Sequence, residues 1–362
     1  MSEIIPSSHN LSIESEMNGL ERMRSLLYVI DTHTEGEPTR IVVAGFPRLE
    51  GSTLLEKRRF MAERLDHLRT ALLLEPRGHD DQFGALVLPT ERADADYALL
   101  FMDAGGYLDM CGHGIMGVTT ALIETGMIEP NEPKTIIKYE TLAGVVSVSA
   151  CVEDGSVTEV TLVDVPSFYL GSYDVSVGGI SITVDVAYGG NFYVIAEAEA
   201  LGTRVRSKHI TELIKKGIML RDEARRQIAV YHPDHGVSRE IQLAMITDEP
   251  ELPYSSGKNI VVFGRGQFDR SPCGTGTAAR LSVMYSKGAI KPGDEFIHES
   301  IINTTYRAKI VETTRVGPYP AIVPEITGRA FITQVATVII DSEDPLWRGF
   351  SIAPHTSKRI QL

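Results

Sequence analysis

Two stretches decide how this chain is read: Tyr107-Leu108-Asp109-Met110-Cys111-Gly112-His113-Gly114 and Asp269-Arg270-Ser271-Pro272-Cys273-Gly274-Thr275-Gly276. Each sets a cysteine before Gly-x-Gly, and the likeness continues downstream. Glycine recurs 15 residues after each cysteine (Gly126, Gly288), isoleucine 17 after (Ile128, Ile290) and proline 19 after (Pro130, Pro292). A loop, a helix and a helix stop are duplicated, with a cysteine at each helix start and a glycine as C-cap. The cysteines lie 162 residues apart, which sets the size of the repeated unit.

The bulk numbers agree with two domains. The chain has 362 residues, 43% hydrophobic and 23% charged, ordinary for a globular protein and too long for one core. A formal net charge of −13 argues against nucleic acid or an anionic membrane as partner. No apolar run approaches the ~20 residues that cross a bilayer. Met1–Arg24 lacks the apolar segment of a secretory signal, so a cytoplasmic location is expected. Three cysteines make no disulfide framework, and Cys151 lies in an alternating run and reads as a strand residue.

Short strand-like runs dominate: 26–31, 40–44, 85–88, 98–102, 182–187, 192–196 and 259–263. Helical periodicity is confined to 54–72, 210–228 and the two segments after the cysteines, 114–124 and 275–286. Helices and strands do not alternate, which disfavours a doubly wound parallel sheet. The expected fold is α+β: two pseudo-symmetric halves, each a curved sheet around one central helix. Residues 1–24 read as an N-terminal extension with a short helix near Leu20. Residues 25–168 plus 345–362 form the expected first domain, carrying Cys111, and 169–344 the second, carrying Cys273. The crossover between them is placed at Pro166–Gly171.

A helix start offers unpaired N–H groups and the positive end of the dipole. Both stabilise a thiolate, so a thiol there is expected to fall from ~8.5 toward neutrality. The same N–H groups hold a carboxylate, and the glycine after each cysteine admits a ligand close to the backbone. Two converging starts would set one thiolate and one thiol on opposite faces of a carbon next to a carboxylate. That arrangement suits two-base inversion. The copies differ where asymmetry is useful: His113 faces Thr275 in the alignment, and Asp269 faces Tyr107. An imidazole and a carboxylate suit a protonated amine, so an amino or imino acid is the expected substrate.

With Ile30-Asp31-Thr32-His33-Thr34-Glu35-Gly36-Glu37-Pro38-Thr39-Arg40 and Leu74-Glu75-Pro76-Arg77-Gly78-His79-Asp80, the two cysteine motifs resemble the signatures of the proline racemase family over nearly the whole chain, 26–350. The resemblance implies a two-domain fold like that of diaminopimelate epimerase, with the active site in the interdomain cleft. It implies a homodimer, a small imino-acid substrate and catalysis by two cysteines without a cofactor or metal. Cys111 and Cys273 then match the acid/base pair. Gly112, His113, Gly114, Gly274 and Thr275 match substrate-binding positions, and Asp269 matches the carboxylate that holds the ring nitrogen with His113. Phe83 and Phe263 fall at apolar ring contacts, which makes the pocket small and half apolar. His33, Glu35, His79 and Asp80 lie in matching motifs with no chemistry assigned.

The resemblance implies reversible inversion at Cα of proline, with 4-hydroxyproline 2-epimerase as the alternative. Gln242 stands where many hydroxyproline epimerases carry histidine, and Phe101–Leu108 resembles bacterial proline racemases; both favour proline. Relatives that dehydrate trans-3-hydroxyproline carry threonine where this chain has Cys273. Ile115 and Met116 stand where smaller or polar residues are common. Other readings of the same residues stay open. Gly112-x-Gly114-x-x-Gly117 fits the dinucleotide pattern of a nicotinamide-dependent oxidoreductase, although a loop rather than a strand precedes it and a cysteine before both copies goes unexplained. Cys111, His113 and Cys273 could hold zinc or sense redox state, with no fourth ligand evident.

Overall fold

The computed structural model describes residues 24–234 and 240–352. The expected extension up to residue 23, with its helix near Leu20, and residues 353–362 lie outside the described residues.

The first part of the chain runs through strands Arg24–Thr34 (β1) and Glu37–Ala44 (β2), helices Leu54–Arg64 (α1) and Asp66–Leu73 (α2), and strands Phe83–Leu88 (β3), Tyr97–Met102 (β4) and Tyr107–Leu108 (β5). Helix Gly112–Glu124 (α3) and strands Lys134–Thr141 (β6), Gly144–Glu153 (β7) and Ser156–Val163 (β8) complete it. The second part opens with strands Ser167–Val177 (β9), Ile180–Tyr188 (β10) and Phe192–Glu197 (β11), then helix Ile210–Gln227 (α4). Strands Ile241–Asp248 (β12), Gly257–Phe263 (β13) and Gln267–Phe268 (β14) lead to helix Gly274–Ser286 (α5). Strands Glu295–Glu299 (β15), Thr305–Val316 (β16), Tyr319–Gly328 (β17) and Ala330–Asp341 (β18) end the described chain.

The duplication read from the helix starts extends to the whole sheet. Antiparallel β1–β2 answers to β10–β11, and parallel β2–β3 to β11–β12. Antiparallel β3–β4 answers to β12–β13. Parallel β4–β6, which encloses α3 in sequence, answers to parallel β13–β15, which encloses α5. The meanders β6–β7–β8 and β15–β16–β17 complete the correspondence. Antiparallel β8–β17 joins the two units into one continuous sheet.

Charge distribution decides which helices go inside. Gly112–Ile123 carries no charged side chain, and every residue of it is buried. A helix apolar on all faces belongs in a core. Accordingly α3 is wrapped by β1, β2, β3, β7, β8 and β18; α5, buried over Gly274–Ala279 and carrying Arg280 as its one charged residue, is wrapped by β9, β10, β11, β16 and β17. The amphipathic helices lie outside: α1 and α2 cover the far face of the first sheet through Met61, Leu68 and Leu72, and α4 covers β12 and β13 through Leu213. Both inner helices end as their glycines require, with Gly126 and Gly288 at φ +72°. The result is the expected α+β fold of two epimerase-like units.

Three boundaries differ from the sequence reading. The helix expected over 54–72 breaks at Leu65 (φ −125°, ψ 13°), which caps both α1 and α2, because the apolar periodicity runs through a local kink unmarked by glycine or proline. The crossover expected at Pro166–Gly171 is shorter: Ser167 already begins β9, and Phe168 pairs with Tyr188 and Ala321. The span 169–344 includes β18, whose hydrogen bonds go back to β1 from Arg24↔Asp341 to Thr34↔Ala330. Each unit therefore lends a strand: β9 follows β8 and pairs with β10, as β18 follows β17 and pairs with β1. No helix among the described residues is long and apolar enough to cross a membrane.

Candidate active site

The starts of α3 and α5 meet head to head. A β-carbon on Gly112 would lie 2.9 Å from Cα of Gly274, so glycine is required on both sides. The other glycines of the first motif serve packing as well. A β-carbon on Gly117 would lie 2.5 Å from Thr32 Oγ1, and one on Gly114 would lie 2.9 Å from the Phe101 ring. In the second unit the close approach is made from the sheet: a β-carbon on Gly189 would lie 2.5 Å from the Ala279 nitrogen. The G-x-G-x-x-G spacing is thus accounted for by helix–helix and helix–sheet contact.

Both cysteines are N-caps, and both are buried at 5–6% exposure. Cys111 Sγ accepts the Gly114 N–H at 3.3 Å and lies 3.2 Å from His113 Nδ1. Cys273 sits at φ +67°, with Tyr193 Oη 3.3 Å and Thr275 Oγ1 4.0 Å from its sulfur. The expectation of lowered thiol pKa values is corrected here. Burial pushes both thiols well above their ordinary value, and the negative field of Asp269 adds to it. The Gly114 N–H pulls Cys111 down, and Tyr193 does the same for Cys273, but desolvation is the larger effect.

Asp269 and His113 come together across the two units, with Oδ2 3.9 Å from Nδ1. Burial pushes His113 down, toward the neutral imidazole, against the pull of Asp269. Asp269 Oδ1 accepts from the N–H and the hydroxyl of Ser271, whose oxygen accepts the Cys273 N–H at 3.1 Å. Phe83 packs edge-on to His113 with ring centroids 4.6 Å apart. Phe263, at the end of β13, is buried in the same core as both cysteines. The sequence-selected residues therefore converge, with Phe263 at one remove.

Three residues were not singled out from the sequence. Tyr193 on β11 touches both Cys273 and Thr275. Glu37 is fully buried; its Oε2 accepts the Arg270 N–H at 2.7 Å, and burial beside Asp269 pushes its carboxyl well up. Asn191 donates to Met110 O at 2.8 Å and accepts the Asp109 N–H at 3.3 Å, tying the second unit to the loop before Cys111. Gly189-Gly190-Asn191 and the glutamate inside the Ile30–Arg40 motif were the signals available for them. His33 and Glu35 brace loops. The His33 ring accepts the Gly36 N–H and stacks on Phe331, and Glu35 accepts from Arg329 and Thr304. His79 accepts the Gln82 N–H through its carbonyl. Among the described residues no group of three or more His, Cys, Asp or Glu side chains is arranged to hold a metal ion.

The duplicated α+β unit, with its two cysteine-capped helix starts in contact, has the fold of solved racemases and epimerases, which are isomerases. More particularly, the chain belongs to the proline racemase family, whose sequence model, described as proline racemase, matches residues 29–351. It is 44% identical over 329 residues to the proline racemase of Acetoanaerobium sticklandii, covering 90% of this chain and 98% of that one. It is 40% identical over 331 residues to the 4-hydroxyproline 2-epimerase of Streptosporangium roseum, covering 91% and 99%. The crystal structure of a hydroxyproline epimerase from Agrobacterium vitis with bound trans-4-hydroxy-L-proline matches with a TM-score of 0.86 at 33% identity, covering 92% and 98%.

Proposed function

We propose that this protein inverts Cα of proline reversibly, L to D, by two-base proton transfer between Cys111 and Cys273 without a cofactor. The observation that carries the reading is the meeting of two cysteine-capped helix starts at Gly112 and Gly274 beside the His113–Asp269 pair. One thiolate takes the Cα proton, and the other thiol returns a proton to the opposite face; in the reverse direction they exchange roles. N–H groups near Gly112, Gly114, Gly274 and Thr275 hold the carboxylate and stabilise charge developing on it. Asp269 and His113 hold the ring nitrogen, and Phe83 and Phe263 line the apolar side.

Both thiols are buried, so admission of a ring requires the two units to part. Contacts between units such as Arg270 Nη2 to Asp81 Oδ2 (2.7 Å) would break and re-form in each cycle. Reclosure excludes water and strengthens every polar contact within. A homodimer and a cytoplasmic setting belong to the same reading; light scattering of the purified protein tests the first.

Epimerisation of 4-hydroxyproline is the second reading, favoured by the name of the Streptosporangium relative and the ligand of the Agrobacterium structure. Against it, Gln242 replaces the histidine expected of such enzymes. Gln242 lies at a bulge of β12 opposite Phe192 and Tyr193, and its buried Oε1 has no partner among the described residues.

Incubation with L-proline, trans-4-hydroxy-L-proline and trans-3-hydroxy-L-proline in D₂O, followed by chiral chromatography and mass spectrometry, tests both readings. Deuterated D-proline as the fastest product is expected. Inversion of 4-hydroxyproline alone would reassign the substrate, and a ketone or dehydrated product would remove the racemase reading. Cys111→Ser and Cys273→Ser are each expected to abolish measurable inversion.

A further inference from the structure

Cys273 and Cys111 occupy equivalent places in the two units, yet their backbones differ. Cys111 is extended at φ −150°, a conformation open to any residue, while Cys273 sits at φ +67°. A side chain at positive φ is strained and persists where its surroundings hold it. Around Cys273 a chain of buried hydrogen bonds does so.

Thr277 Oγ1 donates to the Cys273 carbonyl at 2.7 Å, beside the helical bond from the Thr277 N–H to the same oxygen. With its proton engaged there, Thr277 Oγ1 must accept from His298 Nδ1, 2.8 Å away. His298 Nε2 is then an acceptor, and it takes Asn259 Nδ2 at 2.9 Å and Arg280 Nη1 at 3.3 Å. The second proton of Asn259 Nδ2 goes to the Pro272 carbonyl at 3.0 Å. The donors and acceptors run in one consistent direction, and they hold the carbonyls on both sides of Cys273. All three side chains are fully buried.

Among the described residues the first unit has no equivalent of this Asn–His–Thr chain. The pairings Gly257↔His298 and Tyr97↔Tyr139 put Tyr139 where His298 stands, and Leu99 where Asn259 stands. Ile115, four residues after Cys111, answers to Thr277. Where the cysteine is extended, the carbonyl before it, Met110 O, is held by Asn191 at 2.8 Å, and among the described residues no side chain bonds the Cys111 carbonyl; where it is strained, buried side chains hold the carbonyls on both sides.

We infer that Asn259, His298 and Thr277 form a positioning network that holds the peptides flanking Cys273 and so aims its thiol into the site. The inference rests on the two-thiol reading above. None of the three is a catalytic residue: they act through the Cys273 backbone.

Thr277→Val removes the hydroxyl at nearly constant volume, and Thr277→Ser restores it. Inversion is expected to fall about tenfold or more in T277V and to recover to within about threefold of wild type in T277S. Iodoacetamide followed by peptide mapping supplies a second readout: the labelling rate of Cys273 relative to Cys111 should change about fivefold in T277V and return in T277S. Asn259→Leu, which installs the residue of the first unit, should shift the same ratio. A Cys273-to-Cys111 labelling ratio unchanged from wild type, with undiminished turnover, overturns the inference. So does a uniform acceleration of both labels, or failure of both T277V and N259L to fold, since either marks the network as a stability element alone. Cys273→Ser separates the two levels: retained turnover in C273S sinks the two-thiol reading, whereas loss in C273S with normal T277V sinks this inference alone.

Discussion

Gly112 and Gly274 leave no room between them for one further carbon: a methyl built on Gly274 would lie 2.8 Å from Cα of Gly112. The two helix starts are separated by backbone alone. That contact brings residues 162 positions apart into one site.

Gly274→Ala should therefore force the helix starts apart. Neither glycine has a positive φ, so the cost is one of space rather than of backbone conformation. Misplacement of reacting groups by about 1 Å costs about a hundredfold in rate. Inversion of proline by G274A, followed by polarimetry, should fall by about that factor, with a lowered melting temperature. Wild-type turnover in G274A would show that the contact does not set the thiol geometry.

Tyr193→Phe removes the hydroxyl 3.3 Å from Cys273 Sγ while keeping the ring. This hydrogen bond pulls the Cys273 thiol down against burial, so its loss should raise that thiol further. A fall of about tenfold in kcat is expected, with the folded state retained by circular dichroism. An unchanged kcat would remove Tyr193 from the site.

The pH profile follows from the buried thiols. On the proposed mechanism inversion requires one thiolate and one thiol; burial raises both, and the Cys273 sulfur further disfavours ionisation of Cys111. The acid limb of kcat/KM should therefore continue to climb beyond the ordinary thiol value of ~8.5 and turn over once the second thiol ionises. A limb completed below about pH 7 would mean that the free enzyme holds a thiolate that burial does not suppress.

Asp164, in the crossover, offers a test of stability away from the thiols. Its Oδ1 accepts the Val165 N–H, its buried Oδ2 has no partner among the described residues, and burial pushes its carboxyl up to about 8. Between the ordinary carboxyl range and about 8 the folded state then holds a proton that the unfolded state has lost. Its contribution is full at low pH and is lost as pH rises through about 8. Asp164→Asn should flatten the fall in melting temperature across that window; an unchanged slope would place the cause elsewhere.

Much of this molecule was legible because its signals are local. The strand runs expected at 26–31, 98–102 and 259–263 lie inside β1, β4 and β13, and both inner helices end at the glycines marked for them. What escaped depends on distance along the chain. Tyr193 reaches Cys273 across 80 residues, and Glu37 reaches Arg270 across 233. No periodicity links such positions. The kink at Leu65 was hidden for the opposite reason: apolar spacing continues through a change of backbone angle that no special residue announces.

The amino-acid sequence by itself determined that two helices, each begun by cysteine and closed by glycine, lie at the centres of two alike units. Helix ends and periodicity are properties of neighbouring residues. Tertiary structure alone decided that the two starts touch, that Cys273 is held at φ +67° while Cys111 is extended, and that burial overrides the helix N–H groups in setting the thiols. Contact between distant segments is set by closure of the whole sheet. Desolvation is set by everything that surrounds a group, and neither is written in the residues on either side of it.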